Sequence, residues 1–235
     1  MPNGAPATPF PRTPISRSCC SFCQTYWAAS GAGAKRPHCP TVSTGSRNFF
    51  NLWSAGDLQA ADQAIKAAVE RWPKQRQIWR TQLAYLLYSG RASEALSILN
   101  DTAERPLDVP EGLIDAATAT ARALTGELSR TEAVAQNLAY LKTDPRPALA
   151  VAQACAAMGD AATSLTLLDG YYFGEGAWAA LAPRAGDQDR QTSPLFQPPM
   201  RSLWNTPAFN RLLNRIGLDD YWHESNSLPD FRRAQ

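Results

Sequence analysis

Four of the five cysteines crowd the start of the chain, at Cys19, Cys20, Cys23 and Cys39, with His38 beside the last. Cys20-x2-Cys23 followed by His38-Cys39 offers the ligand types of a zinc site. Adjacent residues rarely turn both side chains toward one tetrahedral ion, and no apolar core surrounds these four. The expectation is therefore incidental thiols and no metal. Cys155 stands among Ala154, Ala156 and Ala157 and reads as a buried small hydrophobe. A catalytic thiol needs a base, and neither His38 nor His223 is near it in sequence. Gly174-x-Gly176 lacks the third glycine and the βαβ setting of a nucleotide loop. Asp187, Asp189, Asp219, Asp220 and Glu224 could be taken for acid–base pairs, but Asp219-Asp220 reads as a solvated turn after a helix. His223 beside Glu224 is a lone histidine near a polar end. The chemistry expected is none: no enzyme, no cofactor, no metal.

The bulk properties point the same way. The chain has 235 residues, 23 Lys+Arg, 21 Asp+Glu and a net charge of +2. So small a net charge argues against a protein that wraps nucleic acid. No run of 18 apolar residues exists, so no membrane span is expected, and five cysteines are too few for a disulfide scaffold. Charge is uneven, however. Residues 1–47 hold Arg12, Arg17, Lys35, Arg36 and Arg47 and no acid, which leaves the remainder at −3. The same segment holds seven of the 18 prolines and shows neither helical nor strand periodicity. It cannot bury enough apolar surface to offset its ordering entropy, so 1–47 reads as a disordered basic Pro-rich tail. The run from Cys19 to Ser30 is too broken by polar residues for a secretory signal. Phe22, Tyr26 and Trp27 lie on no compact basic face, so no nucleic-acid site is read from them.

Helical order starts near Asn48. Leu58, Ala61, Ile65, Ala68, Val69 and Trp72 are spaced by threes and fours, one face of a helix that Pro73 ends. The next helix, about 76–88, places Trp79, Leu83, Leu86 and Leu87 on one face, and Gly90 stops it. Ala95, Leu96 and Leu99 then repeat the earlier pattern. Gly56 matches Gly90, Ala61 matches Ala95 and Ile65 matches Leu99, all at an interval of 34. Residues 110–182 continue less regularly. Asp108 with Glu111 predicts a capping box for a helix to about Leu124, and Gly126 interrupts it. Another helix runs from about Ser129 to Leu141, with Ala133, Leu138 and Leu141, and Asp144-Pro145 ends it. This unit is about two residues longer than the first. A fourth unit places a helix at Ala148–Met158, a turn at Gly159-Asp160 and a partner helix from Ala161 toward Leu168. From 170 to 206 the aromatic, Gly and Pro content predicts loops and short helices. Thr206-Pro207 opens a last clean helix with Phe209, Leu212, Leu213 and Ile216 on one stripe and Gly217 as its stop.

A helix–turn–helix period of 34 is that of the tetratricopeptide repeat. On Trp79, Gly90, Ala95, Leu99 and Pro106, and on Gly56, Ala61, Ile65, Ala68 and Pro73, the chain resembles that family. The tail is similar to the C-terminal region of bacterial CadC-like winged-helix and adenylate-cyclase-like regulators. That likeness rests on Pro194-Leu195-Phe196, Pro198-Pro199-Met200, Pro207, Phe209, Leu212-Leu213, Ile216-Gly217-Leu218 and Tyr221-Trp222. The resemblance implies an all-α, right-handed TPR-like solenoid of antiparallel helix pairs over 48–169, with 170–235 as a C-terminal helical cap. It also implies a cytoplasmic, non-enzymatic scaffold for a protein or peptide partner, with no nucleic acid bound directly by the repeats. The alternative is a sensory module of a bacterial regulator whose effector domain is absent from this chain. In the family the first helices of each pair line the concave face. Arg80, Gln82, Tyr85 and Tyr88, on or beside such a helix, are the candidate partner-binding residues, and the oligomeric state stays open. A chain beginning at residue 48 should keep its helical circular dichroism and melting point; a large loss in either would show that the tail is part of the fold.

Overall fold

The structure, a computed structural model, describes residues 49–181, 190–227 and 229–233. The expectations for residues 1–47, including the four cysteines and His38, and for Asp187 and Asp189, lie outside the described residues. The described chain is helical throughout and contains no strand. Residues 49–55 form α1. Then follow α2 (Leu58–Arg71), α3 (Arg76–Tyr88), α4 (Ala92–Asn100), α5 (Glu111–Thr125), α6 (Arg130–Thr143), α7 (Ala148–Ala157) and α8 (Ala161–Phe173). Three 3-10 turns, at Gly176–Leu181, Ser193–Phe196 and Pro198–Met200, lead to α9 (Pro207–Ile216), α10 (Leu218–Glu224) and α11 (Asp230–Arg233).

The first eight helices are paired by one device. Gly56, Gly90, Gly126 and Gly159 all take positive φ, between 78° and 85°. At each, the amide of the next residue donates back five positions: Asp57 to Leu52, Arg91 to Leu86, Glu127 to Arg122 and Asp160 to Cys155. Those bonds satisfy carbonyls that the end of a helix leaves orphaned, and they need a left-handed residue that only glycine supplies cheaply. The second helix of the pair starts at once where Asp57 or Asp160 caps it, accepting from the amides of Ala60 and Thr163. After Gly126 two residues, Glu127 and Leu128, intervene before Ser129 caps α6 by accepting from Glu132. The extra length of the third unit is thus in its turn.

Five residues after the turn glycine, a small side chain sits where helices cross. Ala61, Ala95 and Ser164 are each fully buried, and Ala133 takes the same place two residues late. One helical turn further come Ile65, Leu99 and Leu168, all buried. The third unit has Asn137 there instead, buried but satisfied: its Nδ2 donates to Thr120 Oγ1 at 3.0 Å and to the Ala133 carbonyl at 2.9 Å. A buried amide left without partners would cost about 1–3 kcal/mol, so Thr120 and Asn137 stand together. From α2 to α8 each helix packs on the next, and α3 also meets α5. The core has two clusters that adjoin in α5, where Ala121 belongs to the first and Ala119 and Ala123 to the second.

Three boundaries differ from the sequence reading. Asp108 forms no capping box; Pro110 occupies the position before α5, and Asp108 pairs with Arg76 at 3.2 Å. Helix α8 runs through Gly170 to Phe173 rather than yielding to a loop near 170. A Cβ on Gly170 would stand 2.4 Å from the Trp178 carbonyl oxygen, so the glycine is there to let the 3-10 turn lie on the helix. Asp219 and Asp220 occupy the first turn of α10, not a solvated loop. Carboxylates are favourable at the positive end of a helix, and Asp219 also pairs with Arg232 at 2.8 Å.

Beyond α8 the chain turns back on the last pair. The 3-10 turns at Ser193–Phe196 and Pro198–Met200 pack on α7, and α9 packs on α8. Leu195, Met200, Leu203, Phe209, Leu212 and Leu213 are buried in the cluster that holds Leu167 and Leu168. Phe231 closes the far end among Phe196, Trp204 and Trp222, at ring separations of 5.4, 5.6 and 6.0 Å. At Gly90 an added Cβ would meet nothing within 4 Å, so the penalty for Ala there is conformational alone, about 1–2 kcal/mol. Gly90→Ala should lower the unfolding free energy obtained by urea titration by that amount. Gly90→Asn, which tolerates the left-handed region, should lower it less.

Candidate functional site

The described residues line an open surface concavity of about 500 Å³. It forms because the turns align the C-terminal ends of α3, α5 and α7. Leu87 and Tyr88 come from α3, Leu124 and Thr125 from the end of α5, and Ala156 and Ala157 from α7. Ala92 and Ser93 at the start of α4 complete one side, and Pro198, Pro199 and Ser202 form the opposite wall. The C-terminal segment holds that wall in place through polar contacts to α7. Gln153 Nε2 donates to the Pro194 carbonyl and to Gln197 Oε1, both at 2.9 Å, and Ser202 Oγ donates to the Ala156 carbonyl at 3.3 Å. The same segment reaches the first unit: Arg201 Nη2 donates to the Ser54 carbonyl at 2.8 Å, and its guanidinium lies over the Trp204 ring.

Of the four residues singled out from sequence, only Tyr88 lines this cavity. Burial holds its phenol well above the ordinary range, so it is a neutral hydroxyl. Tyr85 is fully buried and offers no surface. Its ring stands edge-on to Phe49 and Trp53, and its hydroxyl donates to the Leu58 carbonyl at 3.0 Å. Arg80 is half-buried, and desolvation lowers its pKa, with Arg76 adding to the effect. Gln82 is half-buried as well. Neither belongs to the cavity lining. What the sequence reading missed is the far wall, because a residue near 200 has no periodicity that ties it to one near 88.

The lining carries no acid, no base and no thiol. Cys155, next to the lining residue Ala156, is fully buried, and burial, with Asp160 adding to it, pushes its thiol from 9.0 to about 12. It is protonated at neutral pH and cannot attack. Arg91, Arg122 and Arg130 stand near the turns but outside the lining. Arg91 is engaged by Glu94 and Asp62, and Arg122 by Glu127. No group of three His, Cys, Asp or Glu able to hold a metal occurs among the described residues, and none of their helices is long and apolar enough to cross a membrane.

The arrangement is an open concavity lined by leucine, alanine and proline side chains together with the hydroxyls of Tyr88, Ser93, Thr125 and Ser202. Comparison of the chain with protein-family models, with curated proteins and with solved structures finds no match.

The buried thiol carries a pH dependence. Its pKa is raised in the folded state, so its contribution to stability is complete below the ordinary thiol value of 9.0. That contribution is lost as pH rises toward the folded value of about 12. Tyr85, Tyr88, Tyr140 and Tyr172 are raised in the same sense, each chiefly by burial. The melting temperature should fall above pH ~9, and Cys155→Ala should shrink the early part of that fall.

Proposed function

We propose that this chain is a non-enzymatic helical-repeat scaffold that binds a segment of a protein or peptide partner in the cavity between α3, α5, α7 and Pro198–Ser202. The arrangement reads as a TPR-like right-handed solenoid with a C-terminal helical cap. What supports the repeat reading is the recurrence of one turn with one set of hydrogen bonds at Gly56, Gly90, Gly126 and Gly159. Ala61, Ala95, Ala133 and Ser164 recur with it as small crossing residues. Stacked helical pairs generate extended concave surfaces, and such surfaces serve binding in repeat proteins.

The observation that carries the binding reading is the cavity itself. Its volume of about 500 Å³ lies in the range of pockets that take a ligand or part of one. Its walls are aliphatic with a few hydroxyls, and it holds no group fit for nucleophilic or acid–base work. The test is a photo-crosslinking amino acid at Tyr88, which should capture a partner polypeptide. A cavity-filling Ala157→Trp in the same protein should abolish capture while leaving the helical circular dichroism intact. Capture unaffected by Ala157→Trp in a folded protein would show that the partner binds elsewhere.

A further inference from the structure

The concavity lies at the seam between two packed bodies. Leu87 of its lining is buried in the cluster of Phe49, Trp53, Tyr85 and Leu99, and Tyr88 packs on that cluster. Ala156 of the lining is buried in the other cluster. Met200 and Leu203, beside the wall residues Pro199 and Ser202, are buried in that other cluster too. Leu124, near the end of α5, packs on both. One side of the concavity thus belongs with α1–α4, and the other with α7, α8 and the C-terminal segment.

An array of helix pairs holds together through contacts between neighbours, so its ends are ordinarily linked through every interface in between. Arg201 departs from that scheme. It stands between Met200, buried against the last pair, and Ser202, whose Oγ donates to the Ala156 carbonyl at 3.3 Å. Its Nη2 donates to the Ser54 carbonyl, at the end of α1, at 2.8 Å. The segment seated on α7 is thereby tied to the first helix, 147 residues away in sequence. The two attachments are unequal. On α7 the segment is held by burial of Leu195, Met200 and Leu203 and by the Gln153 hydrogen bonds. On α1 it is held through Arg201, an exposed residue, by a bond for which water competes. Such a bond shifts an equilibrium by roughly three- to ten-fold, enough to favour one state without locking it.

We infer that residues 193–204 form a releasable strap. With Arg201 on Ser54 the two bodies are held together and the concavity is narrow. With that bond broken they part about α5, where the two clusters adjoin, and the concavity widens while the anchor on α7 stays. As control of access to the concavity, the strap rests on the partner-binding reading above; the opening itself is a property of the chain alone. A partner that fits the wider state displaces Arg201 from Ser54. Its affinity is then reduced in proportion to the fraction of chains already open.

The test is a distance measurement by electron spin resonance on the full chain, with the labels carried on non-natural amino acids so that the native cysteines stay in place. One pair, at exposed Gln59 on α2 and Asn214 on α9, spans the two bodies. A second pair, at exposed Gln136 on α6 and Asn214, lies within one of them. Arg201→Met keeps an unbranched side chain and removes the donors. In that variant the population at longer Gln59–Asn214 distances should rise roughly three- to ten-fold, and the Gln136–Asn214 distance should stay as it is. An unchanged first distribution would overturn the strap. Movement of both pairs would show that Arg201 holds the C-terminal segment on α7 rather than the two bodies together, and would overturn it as well. If the first distance lengthens alone, yet crosslinking from position 88 captures no partner with either chain, the strap stands and the partner-binding reading falls.

Discussion

The left-handed glycine turn is the constraint on which the rest depends. A helix can reverse within two residues only if one of them takes positive φ, and the hydrogen bonds that close the turn then fix the angle of departure. Because Gly56, Gly90, Gly126 and Gly159 share one conformation, the first helices α1, α3, α5 and α7 all end on the same side. That alignment creates the cavity. It also accounts for the small residues at the crossings: a tight turn brings two helices together within a few residues, and Ala61, Ala95, Ala133 and Ser164 are what the approach permits. A larger side chain there would overpack, at a cost of about 1–3 kcal/mol.

The third unit shows how far the pattern bends. Lengthening its turn by Glu127 and Leu128 delays the small residue to Ala133 and puts Asn137 where the other units place Ile65, Leu99 and Leu168. Hydrogen bonding through Thr120 then adds to the apolar packing of α5 on α6, where Ala119 and Ala123 share a buried cluster with Ala133, Val134 and Leu141. Close to the same place, the ring of Tyr140 lies so near Gly112 that a Cβ there would stand 2.6 Å from it. The variable unit thus adds a buried polar contact to the apolar one between its two helices. It is also where the two core clusters adjoin, in α5.

The helices were legible in the sequence because their signals are local. Apolar spacing located α2 and α3, glycine located the turns, and Thr206-Pro207 with Gly217 bounded α9 as the structure has it. What stayed hidden is non-local. Gly170 gives a loop signal, and only the Trp178 backbone lying on it explains a glycine inside a helix. Tyr85 passed for a surface residue because its neighbours Phe49 and Trp53 are some 30 residues away. Asp108 has the right type and spacing for a capping box, yet Pro110 fixes the backbone and Arg76 takes the carboxylate. The cavity was half legible: Tyr88 was named from its helix, and its facing wall at Pro198–Ser202 was not.

That facing wall changes what the inner surface can do. Leu195, Met200 and Leu203 are fully buried, each side chain contributing about 1.5–3 kcal/mol before entropy, so apolar burial anchors the segment. Its polar residues then work from a fixed base. Gln153 and Ser202 tie the segment to α7, while Arg201 crosses to the far end of the array and satisfies a helix-end carbonyl there. The first and fourth units are thereby joined through the chain's own C-terminal segment. Anchoring by apolar burial and addressing by a single charged donor are separable functions. The segment uses its leucines and methionine for the first and its arginine for the second, so loss of the arginine leaves the anchor intact.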